Sequence, residues 1–155
     1  MSIKLIRVGI EEAELIWKMQ VESFMSLYEK YQDTETSPAT EKIDKVIWRL
    51  EQPNTYFYKI MAEDTCVGAI RIIDDKNENI RKRISPLFIL PSFRGKGYAK
   101  WAIMEAEKIH GDSNWFLDTI LQEEGNCALY EKMGYAPTGK TEVVNERMTL
   151  VDYVK

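Results

Sequence analysis

The residues best suited to chemistry form one short run, Arg94-Gly95-Lys96-Gly97-Tyr98-Ala99. Glycines at 95 and 97, and alanine at 99, keep one side of this turn free of bulky side chains. The backbone N–H groups left bare there, where a helix begins, converge on one point and favour an anion such as a pyrophosphate. Arg94 and Lys96 add positive charge beside it. Other glycine-rich motifs do not match. A P-loop needs G-x-x-x-x-G-K-S/T, and a dinucleotide fingerprint needs a third glycine where Lys100 stands. An RNA-recognition octamer opens like Lys96-Gly97-Tyr98-Ala99. It then requires an apolar or aromatic residue in place of Lys100, within a basic domain. A plain tight turn with solvated charges is the bland alternative.

Other reactive side chains find less support. His110, the only histidine, sits at a predicted helix end before Gly111, where its charge would suit the helix dipole. No carboxylate or cysteine stands near it in sequence, so it reads as structural. Cys127 near a helix start has no base in view and reads as a small packing residue. Arg81-Lys82-Arg83 reads as part of a solvated strand, and Trp101 and Met104 as packing faces of a helix.

The elements that must position these groups follow from periodicity. Ile3 to Val8 alternates like a half-buried strand. Glu11 to Tyr31 has helical spacing, with Ala13, Trp17, Phe24, Leu27 and Tyr31 on one face and Gln20 filling the gap. Gln32 to Pro38 is a polar loop. A second helix spans Ala39 to Glu51, with Ile43, Val46, Ile47 and Leu50 aligned. Thr55 to Ala62, Thr65 to Ile73 and Ile80 to Leu90 read as an antiparallel meander. The helix after the glycine-rich turn comes next, then a strand at Trp115 to Ile120. A short helix ends at Met133-Gly134, and Tyr135 to Thr138 and Glu146 to Val154 read as closing strands. The predicted order is β-α-α-β-β-β-α-β-α-β-β. It specifies a mixed α/β (α+β) fold whose central sheet is mostly antiparallel, with helices on both faces.

A chain of 155 residues with 45% hydrophobic and 30% charged residues suits one domain, 1–155, with one sizeable core. Its net charge of −4 argues against nucleic acid as the partner. No stretch approaches the roughly 18 uninterrupted apolar residues of a membrane span. The N-terminal run Met1-Ser-Ile-Lys-Leu-Ile-Arg-Val8 carries charges through its apolar part, unlike a signal peptide. Cys66 and Cys127 have no zinc-ligand spacing and read as free thiols of a reducing cytoplasm.

The stretch Ile89-Leu90-Pro91-Ser92-Phe93-Arg94-Gly95-Lys96-Gly97-Tyr98-Ala99 resembles the central motif of the GCN5-related N-acetyltransferases. That motif is an apolar strand, a proline, then R/Q-x-x-G-x-G/A opening a helix. The predicted element order is also similar to that family's, so the resemblance covers nearly the whole chain. It implies that Arg94, Gly95, Lys96, Gly97, Tyr98 and Ala99 hold the pyrophosphate of acetyl-CoA. It implies that the strand end at Phe88, Ile89 and Leu90 pairs with the pantetheine amides and supplies an amide to the thioester carbonyl.

Leu129-Tyr130-Glu131-Lys132-Met133-Gly134-Tyr135 resembles the L-Y-E-K-x-G-F/Y form of the family's second motif. The resemblance implies that Tyr130 protonates the departing thiolate. The family's cofactor-contacting asparagine, seven residues before the tyrosine, is here Glu123. Asn126 is the substitute candidate for that contact, with helix N-capping as its other role. Asp118 lies twelve residues before Tyr130, where some family members carry a catalytic glutamate. It is the candidate base for a protonated amine or, alternatively, a structural hydrogen-bond acceptor; Glu123 and Glu124 are its rivals. The family's acceptor side is lined by the loop between the first two helices, where Asp33 and Glu35 either attract a cationic amine or are solvated turn residues.

The implied activity is direct transfer of an acetyl group from acetyl-CoA, without a metal, to a primary amine of a small molecule or peptide. An acyl-CoA-binding sensor without catalysis and an RNA-binding module are the two other classes. The acceptor and the oligomeric state, monomer or homodimer, stay open.

Overall fold

The aromatic-rich alternation of Thr55–Ala62 and the β-branched run Thr65–Ile73 produce strands with those very ends, β2 and β3, in a computed structural model that describes residues 2–155. Before them come β1 (Ile3–Arg7), α1 (Ala13–Tyr31) and α2 (Ile43–Glu51). After them come β4 (Lys82–Ile89), α3 (Tyr98–His110), β5 (Trp115–Ile120), α4 (Glu124–Lys132), β6 (Ala136–Val143) and β7 (Thr149–Val154). The predicted order of elements holds. Short 3-10 turns at Ile10–Glu12, Pro38–Thr40 and Pro91–Phe93 fill three of the connections.

The seven strands form one sheet in the order β1-β2-β3-β4-β5-β7-β6. Every neighbouring pair is antiparallel except β4 and β5. Helices cover both faces. On one, α1 and α2 bury Ile16, Met19 and Val46 against Phe57, Ala69 and Phe88. On the other, α3 buries Ala102, Ile103 and Ala106 against Ile60, Ile70, Ile72 and Trp115, and α4 adds Cys127. Burial on both sides is why β3 is buried almost continuously from Val67 to Ile72, instead of alternating. Strand β6 is exposed along its whole length.

Several predicted details change. In α1 the fully buried stripe runs through Ile16, Gln20 and Ser23, while Trp17, Phe24 and Leu27 are only partly buried. Packing on β2 and β3 turns the helix by about one residue from the face that large side chains suggested. Gln20 is buried because it has bonding to do: its amide donates to Pro38 O (2.9 Å) and Glu41 Oε1 (2.8 Å). Trp17 Nε1 donates to Glu41 O (2.8 Å). Together they fasten the loop after α1 to its side. Pro38 and Ala39 belong to a 3-10 turn, and α2 begins only at Ile43. The closing strands are also shifted, β6 running on to Val143 and β7 starting at Thr149.

Candidate active site

Strands β4 and β5 pair only at Lys82↔Trp115 and Arg83↔Phe116. Beyond these two pairs they part. β5 pairs with β7 as far as Ile120, and β4 with β3 as far as Ile89. The sheet therefore opens into a wedge, and two cavities occupy it.

The first, about 350 Å³, runs from the glycine-rich turn to Tyr130. Gly95 and Gly97 have φ of 78° and 82°, left-handed conformations that glycine adopts without strain. Gly97 caps α3 with no side-chain bond, so the first-turn amides of the helix stay unsatisfied. None of the N–H groups from Gly95 to Lys100 donates to another backbone group, whereas Trp101 N already donates to Gly97 O. A row of unpaired amides at a helix start is an anion cradle. Arg94 lines this cavity, with its guanidinium engaged by backbone carbonyls. Its Nε donates to Ile89 O (3.1 Å) and its Nη2 to Ser23 O, fastening the turn to β4 and α1. Lys96 is exposed beside Phe93.

Strand β4 presents its backbone to this cavity selectively. Leu90 N donates to Val67 O, so Leu90 and, two residues earlier, Phe88 face β3. Alternation turns the amides of Leu87 and Ile89 into the wedge. Of the three residues expected to present backbone there, Ile89 does so, Phe88 and Leu90 do not, and Leu87 is an addition. Only the direction of the ladder bonds reveals this.

The second cavity, about 400 Å³, lies on the α1–α2 face of the wedge and includes Phe24, Leu27, Leu87, Asn126 and Tyr130, which also line the first. Tyr130 stands at the junction. Burial, then nearby Asp118 and Cys127, push its phenol up to about 12. Asn126 is exposed there and does not cap α4, whose N-cap is Glu123. That removes the capping role expected as its alternative.

Asp118 lines the second cavity and pairs with Arg83 at 3.1 Å. Burial pushes its carboxyl above the usual range against the pull of Arg83, and Asp152 and Glu142 add to the rise. Arg83 thus leaves the solvated strand assigned to it and enters the site. The rival carboxylates are otherwise engaged. Glu123 accepts from Lys30 (2.7 Å) and Tyr31 (2.5 Å), and Glu124 is exposed. Asp33 is a buried turn residue rather than a solvated one, accepting from the amides of Glu35 and Thr36 and from the Thr36 hydroxyl. Glu35 is exposed.

Glu41 and Arg49 also line this cavity, and Arg71 lies behind it, though no motif marks them. Glu41 and Arg49 form a two-point ion pair, both contacts 2.7 Å. Arg71, 5% exposed, donates to Thr55 Oγ1 and Ser85 O and has no carboxylate partner. Arginine in an apolar strand run was the available signal. His110 ends α3, as expected, and is structural: its side chain is 1% exposed, with Nδ1 2.8 Å from Asp74 and Nε2 2.9 Å from the Tyr58 hydroxyl. It stands outside both cavities. Cys127 is buried and packs, as expected, while Trp101 is 39% exposed rather than packed. Among the described residues no helix is long and apolar enough to cross a membrane.

A family model described as "Acetyltransferase (GNAT) family" matches residues 17–135. Solved structures share the fold. An acetyltransferase from Thermus thermophilus has a TM-score of 0.75 at 16% identity, over 100% of this chain and 97% of that one. A spermidine N-acetyltransferase from Vibrio cholerae, in complex with CoA and spermine, has a TM-score of 0.74 at 16% identity, over 97% and 93%. The PaiA N-acetyltransferase from Thermoplasma acidophilum, in complex with coenzyme A, has a TM-score of 0.72 at 18% identity, over 98% of each chain. No curated protein sequence matches the chain.

Proposed function

The chain belongs to the acetyltransferase (GNAT) family, and on that premise we propose that it transfers an acetyl group from acetyl-CoA to a primary amine by direct attack within the wedge. One observation carries the reading: the amide-lined cavity and the second cavity meet at Tyr130, Asn126 and Leu87. A donor held on one side and an acceptor on the other would meet there. Two reactants so held would need no covalent relay through the protein.

The residues fit the donor. Unpaired amides from Gly95 to Lys100 would hold its pyrophosphate, and the amides of Leu87 and Ile89 would hold its extended arm as a neighbouring strand would. When bound, acetyl-CoA supplies an acetyl group activated as a thioester. A backbone N–H of the β4 end, aimed where negative charge grows at the carbonyl, contributes about 3 kcal/mol. Asn126, exposed at the junction, is placed to orient the donor.

Two proton movements remain. An ammonium of pKa about 10 must become neutral before it can attack, and Asp118, which lines the acceptor side, would receive that proton. Its raised carboxyl makes protonation easier than for an ordinary aspartate. Tyr130 holds its proton firmly and is the donor toward sulfur. A phenol near 12 giving its proton to a thiolate whose acid is near 8.5 would be uphill by roughly 5 kcal/mol in water. The loss of water that raises the phenol also raises a thiol formed beside it, which narrows that gap.

Release of free thiol from acetyl-CoA with a library of primary amines tests the proposal. The acceptor should gain one acetyl group per thiol, and the intact protein should gain none. An acetylated protein that passes its acetyl group on to the amine would refute direct attack.

A further inference from the structure

The walls of the acceptor cavity restrict what can enter it. Its apolar part comes from Phe24, Leu27, Pro86, Ile120, Met148 and Leu150. Its charged part is mixed, with Asp33, Glu41 and Asp118 lining it beside Arg49 and Arg83. Three guanidinium groups gather where α2, β3 and β4 meet: Arg49, Arg71 and Arg83. Arg71 is lowered to about 10, first by burial and then by the positive charge of Arg49 and Arg83. Its partners, Thr55 Oγ1 and Ser85 O, are neutral. A buried cation without an anion leaves positive potential on the wall it underlies.

The carboxylates of the cavity match this charge in number but differ in what they have left to offer. Glu41 is taken by both Nη atoms of Arg49 and by Gln20. Asp33 is taken by its own turn. Asp118 alone has capacity left, since it accepts only from Arg83. Arg83 in turn makes that single bond, and its Nε is buried without any partner. The cavity therefore offers one carboxylate for one ammonium. Beside it stands an under-used guanidinium, a group suited to two-point recognition of a carboxylate.

Resting on the acetyl-transfer reading above, we infer that the acceptor is a zwitterion of the apolar α-amino acid class. Its ammonium meets Asp118, its carboxylate meets Arg83, and its side chain lies on the Phe24–Met148 wall. Adjacent opposite charges in the ligand match the adjacent opposite charges of Asp118 and Arg83, 3.1 Å apart. A polyamine fits this cavity poorly, because its second ammonium would face the arginines.

The test compares L-methionine, L-leucine and L-phenylalanine with their decarboxylated amines and with spermidine, all as acceptors. Acceptor binding to the CoA-loaded protein is followed separately by calorimetry. The amino acids should have a kcat/KM at least tenfold above the matching amines and above spermidine. Arg83→Met should abolish that preference through KM and weaken amino acid binding at least tenfold. Equal or better use of the decarboxylated amines, or of spermidine, would overturn the inference while leaving acetyl transfer intact. Absence of turnover with every acceptor, despite normal acetyl-CoA binding, would refute the underlying reading and this inference with it.

Discussion

Replacing Tyr130 with phenylalanine removes one oxygen from the junction of the two cavities and leaves the ring in place. The ring packs edge-on to Tyr135, centroids 5.9 Å apart, and tilted to Tyr153 at 6.4 Å. Phenylalanine keeps both contacts. The hydroxyl has no hydrogen-bonding neighbour among the groups that set its acidity, so its loss should change folding stability by less than about 0.5 kcal/mol. Catalysis should respond far more. A positioned general acid contributes about 10²–10⁴-fold. With the phenol at about 12 the proton is held tightly, so the lower part of that range applies, about 10²–10³ in kcat, or roughly 3–4 kcal/mol. The assay is thiol release at saturating acetyl-CoA and acceptor, with acetyl-CoA affinity measured by calorimetry on the same preparations. Affinity should stay within about threefold of the parent, because binding rests on the amides of the turn and of β4. A folded Tyr130→Phe protein with kcat within threefold of the parent would refute the acid role. A selective rise in the acetyl-CoA Kd would make Tyr130 a binding residue instead.

Gly97→Val places a branched side chain at φ 82°; the nearest protein atom is 3.8 Å away on Trp101. The protein should stay folded while its acetyl-CoA Kd rises at least tenfold by calorimetry. Gly68→Ala would set a Cβ 2.1 Å from the carbonyl oxygen of Phe88. Backbone in a ladder cannot move aside cheaply, so it should cost about 3 kcal/mol and lower Tm by roughly 6–12 °C, read by calorimetric melting. Burial holds the His110 imidazole below its usual value, and Asp74 opposes this only in part. The unfolded chain accepts a proton near pH 6.5 that the folded chain resists, so this stability is complete above about 6.5 and is lost as the pH falls. Melting temperature should drop between pH 7 and 5, and His110→Gln should flatten the drop.

Much of this architecture is written locally. Strands β2, β3 and β5 begin and end where alternation and turn residues place them, because a strand's period and its breakers lie within a few residues of each other. The closing strands were less legible. β6 is wholly exposed and carries Pro137 and Gly139, so it lacks the apolar alternation that marks a strand, and its pairing with β7 alone defines it. The side of α1 that is buried escaped for a related reason. Trp17 and Phe24 looked like core by size, but Gln20 and Ser23 occupy the fully buried positions.

By itself the sequence determined the glycine-rich turn and its bare amides. Two glycines free to adopt positive φ, followed at once by a helix start, produce unpaired amides whatever the rest of the chain does. It determined the element order too, and with it the position of Tyr130 one helix beyond β5. The tertiary structure alone decided which backbone amides of β4 face the wedge, because that depends on which ones β3 has already taken. It alone decided that Arg49, Arg71 and Arg83 share one wall, and that His110 meets Asp74 rather than water. Those outcomes join residues as far apart in sequence as Arg49 and Arg83. No local preference encodes such a meeting; it follows from how the sheet splays and which face each helix buries.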